Sequence, residues 1–213
     1  MMVSKTEALT RGNCFKLLAA CFYEPEKDLF VEENLCQNLQ DLLDGWASGA
    51  AKAASDMRLA LSSTEQKQLS ISHAELFIGP FELIAPPYGS VYLEKNRQIM
   101  GDTTIGVLKS YQEAGLSVDE KEPADHIAIE LEFMSFLSLR EAEARAEGRD
   151  TEAEDYFGRQ KDFYNYYLLW VPSFCEAIRI GTKSHFYQSL ADCLDRSMVT
   201  CRKFYGTEVN PRA

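Results

Sequence analysis

Histidine is scarce in this sequence: three residues in 213, His73, His126 and His185. That leaves little material for acid–base relays or histidine-based metal centres. The signatures that carry phosphate, dinucleotide, zinc-hydrolase or acyl-transfer chemistry (G-x-G-x-x-G, Walker A, H-E-x-x-H, G-x-S-x-G) do not occur. Six cysteines are present, Cys14, Cys21, Cys36, Cys175, Cys193 and Cys201, but no C-x-x-C pair, so no zinc or iron–sulfur spacing is offered. They fall in apolar helical stretches, where free cysteine behaves as a small hydrophobe, and a reducing compartment fits them best. No apolar run approaches the ~18 residues of a membrane span, and Leu17 to Phe22 is too short for a secretory leader, so a cytoplasmic protein without stable membrane insertion is expected. Cations are also in deficit, 22 Lys+Arg against 33 Asp+Glu, a formal charge of -11. Such a surface repels nucleic acid and attracts a basic peptide, although solubility alone also accounts for it.

What is present is ordinary globular material, 46% hydrophobic and 26% charged, patterned for helices. Residues 5–23 bring Leu9, Phe15, Leu18, Ala19 and Phe22 near one face, and Glu24-Pro25 ends the run. Residues 27–46 carry Leu29, Leu35, Leu39, Leu42 and Leu43, and residues 50–61 are alanine-rich. Ser63 with Gln66, and Thr151 with Glu154, read as capping boxes. A helix over 102–114 begins at Asp102 and stops at Gly115; one over 123–147 carries Pro123 in its first turn. The aromatic run Tyr156 to Trp170 reaches Pro172, which divides or kinks it before Gly181, and residues 183–204 close the chain with Phe186, Leu190, Leu194 and Met198 in register. The expectation is an all-α fold, one helical bundle of about eight or nine helices spanning residues 1–213. Residues 79–90 stand apart. Adjacent prolines exclude helix and central strand, yet the stretch is apolar and aromatic, so an ordered extended loop packed on the helices is expected.

Two features bear on chemistry. His126 and Glu130 are four apart on one helix face, a spacing that can hold a metal or relay a proton, or simply form a local pair while Asp125 complements the helix dipole. The Pro-Pro loop, beside the helix ending Leu76-Phe77, either lines a groove for a peptide or plugs the core with Phe81, Ile84, Tyr88 and Tyr92. The tyrosine-rich run suits a core helix better than a binding surface.

Three blocks, in order, resemble a known family. Leu17-Leu18-Ala19-Ala20-Cys21-Phe22-Tyr23-Glu24-Pro25 is followed by Glu75-Leu76-Phe77-Ile78-Gly79-Pro80 with Ala85-Pro86-Pro87-Tyr88-Gly89-Ser90-Val91-Tyr92, and then by Glu122-Pro123-Ala124-Asp125-His126 with Glu130-Leu131-Glu132-Phe133-Met134. The chain is similar over most of its length to the TorD/DmsD/NarJ family of redox-enzyme maturation proteins. The resemblance implies a non-enzymatic, TorD/DmsD-like helical chaperone that binds the twin-arginine leader of a molybdopterin oxidoreductase catalytic subunit. Such a chaperone holds the precursor until its cofactor is inserted, before export. It places Leu76, Phe77, Pro86, Pro87, Tyr88, Pro123, Asp125 and His126 in the peptide-binding region, with His73, Glu122 and Glu130 as further candidates. His73 departs from an aromatic in the family pattern, and Tyr88 stands where some relatives have tryptophan, so the client stays open. No resident cofactor is implied; weak guanine nucleotide binding follows from the resemblance alone, and no phosphate loop supports it. A monomer or homodimer is compatible with an exposed apolar groove. The alternatives are a helical metal-dependent enzyme using His126 and Glu130, or a permanent assembly subunit.

Overall fold

The computed structural model describes residues 4–79, 83–117 and 122–206, and these contain eleven helices. The expected loop 79–90 is thus described except for residues 80–82, among them Phe81. In chain order the helices are α1 (Lys5–Ala20), α2 (Lys27–Glu32), α3 (Leu35–Trp46), α4 (Ser48–Ser63), α5 (Gln66–Phe77), α6 (Gly89–Leu93), α7 (Asp102–Glu113), α8 (Ile127–Ala146), α9 (Asp150–Tyr167), α10 (Val171–Gly181) and α11 (His185–Tyr205).

Helix α1 lies along α8 and α3, α11 lies along α4 and α10, and α9 packs on α8. Their shared interior is filled by fully buried Phe15, Leu18, Leu39, Leu43, Leu131, Leu137, Phe174, Phe186, Leu190 and Leu194. Burying one such side chain stabilises the fold by about 1.5–3 kcal/mol. The approach of α1 to α8 is close: a Cβ on Gly12 would lie 3.0 Å from the Leu139 side chain. All six cysteines are buried and free.

One polar knot interrupts this apolar interior. Fully buried Arg11 donates from Nη2 to Glu141 at 2.5 Å and from Nε to Gln160 at 3.0 Å. Gln160 donates on to Glu141, and Tyr205 donates to Gln160. Arg145 meets the other Glu141 oxygen at 2.9 Å. Four helices, α1, α8, α9 and α11, are thereby fixed in register around one buried charge pair.

Several local expectations are corrected. The run 27–46 is two helices, broken where Asn34 takes the left-handed conformation (φ 49°). Leu9 and Leu29 are exposed rather than core. Neither capping box forms. Ser63 belongs to the last turn of α4, and Gln66 reaches back instead, accepting the Lys27 N–H at 2.7 Å and donating to the Pro25 carbonyl. Thr151 lies inside α9, whose N-cap is Arg149. Gly101 is the N-cap of α7, and Glu94 accepts the Thr103 N–H. Pro172 does divide the aromatic run, opening α10 from its first turn. Helix α8 starts at Ile127 rather than 123, because a backbone pairing holds His126 extended.

Candidate functional site

That pairing is the centre of the site. Tyr88 and His126 form an isolated antiparallel bridge between the proline loop and the segment before α8. Ile127 N–H donates to the Pro87 carbonyl at 2.8 Å, and Gly89 N–H donates to the Asp125 carbonyl at 2.9 Å. Two stretches about 35 residues apart are thus joined by backbone alone.

Side chains lock the joint. Asp125 is fully buried; one oxygen accepts the Ser90 N–H at 2.7 Å and the other the Thr104 hydroxyl at 2.8 Å. Its carboxylate therefore pins the start of α6 and the start of α7 to the entry of α8. The expectation that Asp125 lies in the first turn of α8 changes accordingly: it precedes the helix, and its oxygens meet protein donors. Tyr111 adds a hydrogen bond to the Ala124 carbonyl at 2.9 Å.

Glu130 is also fully buried. One of its oxygens accepts the Trp170 indole N–H at 3.1 Å. Burial, reinforced by the charge of Asp125, holds its carboxyl well above the usual range. Gly89 sits against this pair, and a Cβ there would come within 3.0 Å of the indole nitrogen. A larger residue there would push the indole by a few tenths of an ångström, so glycine lets the loop lie close to Trp170 without strain. His126 and Glu130 do not form the local pair their spacing offered. His126 instead caps α8, accepting the Ala128 N–H at Nδ1, which leaves the proton of the neutral ring on Nε2.

The His126 ring is held between two tyrosines. Tyr23 stacks on it with centroids 6.3 Å apart, and Tyr88 meets it edge-on at 5.4 Å. Burial, with the neighbouring His73 adding, lowers its pKa to about 4 against a partial pull from Asp125, so it is neutral at pH 7. The Tyr88 hydroxyl donates to Glu122 at 3.2 Å; burial and the Glu122 charge push it up to about 12. Tyr23 is raised as well, by burial and then by Glu132. Tyr23 is 39% exposed, and Glu24, Glu122 and Glu132 are exposed around it. The solvent side of the joint is therefore an aromatic stack rimmed by carboxylates.

The remaining sequence-derived candidates divide by depth. Leu76, Phe77 and His73 are buried under the other end of the loop. Phe77 meets the His73 ring at 5.2 Å, and the Leu76 carbonyl accepts the Ala85 N–H. Pro87 is buried, whereas Pro86, Tyr88 and Pro123 are half-buried and Glu122 is exposed. Tyr23 and Glu132 were not singled out in the sequence, although both lie within the blocks that carry the family resemblance. In the tyrosine run, Phe163 and Tyr164 are core, whereas Tyr166 and Tyr167 line a cleft of about 470 Å³ with Phe133 and Arg159. Among the described residues, no group of three His, Cys, Asp or Glu side chains is placed to hold a metal ion, and no helix is long and apolar enough to cross a membrane.

In this chain a helical bundle thus carries a proline loop stitched to an E-P-x-D-H segment. The chain belongs to the nitrate reductase delta subunit family, whose model matches residues 43–176. It is 33% identical over 140 residues to the chaperone protein TorD of Vibrio parahaemolyticus, covering 64% of each chain. It is 28% identical over 186 residues to the Tat proofreading chaperone DmsD of Haemophilus influenzae, covering 83% of this chain and 82% of that one. The matches to the Vibrio chaperones span less than two thirds of their length. Among solved structures, a redox enzyme maturation protein from Archaeoglobus fulgidus shares the fold with a TM-score of 0.53 at 22% identity, over 86% of this chain and 91% of that one.

Proposed function

We propose that this protein is a cytoplasmic chaperone that binds the twin-arginine leader of a molybdoenzyme precursor and holds it for cofactor insertion before export. The observation that carries the proposal is the Tyr23–His126–Tyr88 stack with Glu122 and Glu132 beside it. A guanidinium is planar, weakly hydrated and permanently charged, so it stacks on tyrosine while its N–H groups reach carboxylates. Because His126 is neutral, it adds no competing cation. The family and the chaperone names of its relatives support the same reading.

In this account the named residues act at two levels. Tyr88, Pro86, Glu122, Pro123 and the edge of His126 meet the leader, joined by Tyr23 and Glu132. Leu76, Phe77, Pro87, Asp125, Glu130 and His73 hold that surface in place. Calorimetric titration with a synthetic leader tests the assignment. The expected result is micromolar binding or tighter that weakens with salt, and weakens about tenfold for Glu122→Lys as like charges meet the arginines. Absence of binding to leaders encoded beside the gene overturns it. A permanent complex with the mature enzyme in extracts, in place of release, would make the protein an assembly subunit.

A further inference from the structure

The cleft between α7 and α9 is built differently from the stack. It encloses about 470 Å³, a volume within the range of small-ligand sites. Four of the residues lining it are aromatic: Phe133 from α8, and Phe163, Tyr166 and Tyr167 from α9. Phe133 and Phe163 are buried, while Tyr166 is 41% exposed. The rings are inclined to one another. Phe133 and Phe163 meet at 67° with centroids 4.8 Å apart, Phe163 and Tyr167 at 49° and 5.2 Å, and Tyr166 and Tyr167 at 52° and 6.3 Å. Tyr111 packs against both phenylalanines, at 4.6 and 6.0 Å, and its hydroxyl is fixed on the Ala124 carbonyl. The aromatic wall is therefore held in shape before any ligand arrives.

Charge decides what such a wall takes. Glu113 of α7 and Asp162 of α9 put an exposed carboxylate on each side of the cleft. Glu113 meets Lys109 only at 3.7 Å between exposed groups, a contact that neutralises little. Arg159 also lines the cleft, but its charge is engaged: Nε donates to Asp155 at 2.8 Å and Nη1 to the Glu113 carbonyl at 3.2 Å. An anion would meet two carboxylates there. A cation would meet them together with the electron-rich ring faces. The ring angles choose among cations. A planar guanidinium stacks on parallel faces, and Tyr23 and His126 offer these at 17°. Inclined rings instead surround a rounded, weakly hydrated cation, which is the shape of an alkylated ammonium.

We infer that the α7–α9 cleft is a binding site for an alkylammonium cation, with Phe163, Tyr166 and Tyr167 around the charged nitrogen and Glu113 and Asp162 balancing its charge. The ligand ties α7 to α9 from the outside. The site is separate from the stack and does not depend on the chaperone reading. A free quaternary amine and a methylated lysine of a protein carry the same chemistry, and the test tells them apart.

Calorimetric titration of the full chain uses three probes: choline, its uncharged isostere 3,3-dimethylbutanol, and a trimethyl-lysine amide acetylated on its backbone nitrogen. Choline is expected to bind in the millimolar range or tighter, and the isostere about tenfold more weakly or not at all. Tyr166→Leu and Asp162→Asn should each weaken choline binding about fivefold to tenfold. Both side chains are exposed, so both variants should melt with the wild type. In amide NMR spectra, choline should shift residues 106–113 and 159–167. A trimethyl-lysine amide that binds as well as choline makes the ligand a protein side chain, and one that is excluded makes it a free amine; either result supports the site. Equal binding of choline and its isostere would show a merely apolar cleft and overturn the inference. So would no choline binding at millimolar concentration, an affinity that both substitutions leave unchanged, or shifts centred on residues 23, 88 and 126. Inorganic phosphate shifting residues 159–167 where choline does not would give the cleft to Arg159 and overturn it as well.

Discussion

Replacing Asp125 by alanine separates a residue that touches a ligand from one that builds the surface a ligand touches. In the folded chain its two oxygens satisfy the Ser90 N–H at 2.7 Å and the Thr104 hydroxyl at 2.8 Å, with no solvent access. A hydrogen bond to a charged group contributes about 1.5–3 kcal/mol, and a buried donor left unmet costs a comparable desolvation penalty. Losing both partners should therefore cost about 3–5 kcal/mol. For a chain of this size that corresponds to a fall in melting temperature of about 10 °C. Asparagine keeps one acceptor for Ser90, and its amide can donate to Thr104 once the hydroxyl rotates, so Asp125→Asn should lose only about 1–2 kcal/mol. Circular dichroism melts and urea titrations of the two variants provide the measurement. An Asp125→Ala protein that melts within about 2 °C of wild type, yet no longer binds a leader, would refute the buried-pin argument and return Asp125 to direct contact.

Three further outcomes follow from the same structure. Glu141→Leu strands the buried Arg11 guanidinium, which lies at 2.5 Å from its partner; stability by chemical denaturation should fall by about 3–5 kcal/mol, and an unchanged midpoint would dismiss the knot as a structural element. Glu130 has a folded pKa raised well above its unfolded value of about 4.5, so the native state binds the extra proton and this group's contribution to stability declines as pH rises above about 4.5. Glu130→Gln, which keeps an acceptor for Trp170, should accordingly gain melting temperature relative to wild type between pH 5 and pH 8; a constant difference contradicts the assigned burial. Burial raises the cysteine thiols, Cys36 to about 11 and Cys14 and Cys201 to about 12. A disulfide reagent should therefore find essentially no reactive thiol in the native protein and all six in denaturant.

The helices were legible because periodicity and punctuation act locally: Glu24-Pro25, Gly115, Pro172 and Gly181 stand at helix boundaries or within a few residues of them. Their finer ends were not. Ser63 and Gln66 satisfy the capping-box spacing, but Gln66 serves the α1–α2 connection 39 residues away, a partner no local window contains. The start of α8 was misread for the same reason, since the bridge to Tyr88 overrides the helix preference around Pro123. The E-P-x-D-H and A-P-P-Y blocks could be recognised as belonging together only by resemblance. That Asp125 would turn inward, and Tyr23 outward against His126, depends on tertiary contacts. Tyr23 did carry a signal, as an aromatic residue between a helix end and a proline, within a block already noted.

The central claim is that arginine of a bound leader rests against the Tyr23–His126–Tyr88 stack. Photo-crosslinking with a leader carrying benzoylphenylalanine beside the arginine pair, mapped by mass spectrometry, tests it most directly. Crosslinks confined to the segments around residues 23, 88, 122–126 and 132 are the expected result. Crosslinks concentrated on the cleft between α7 and α9, or spread evenly over the surface, would contradict it.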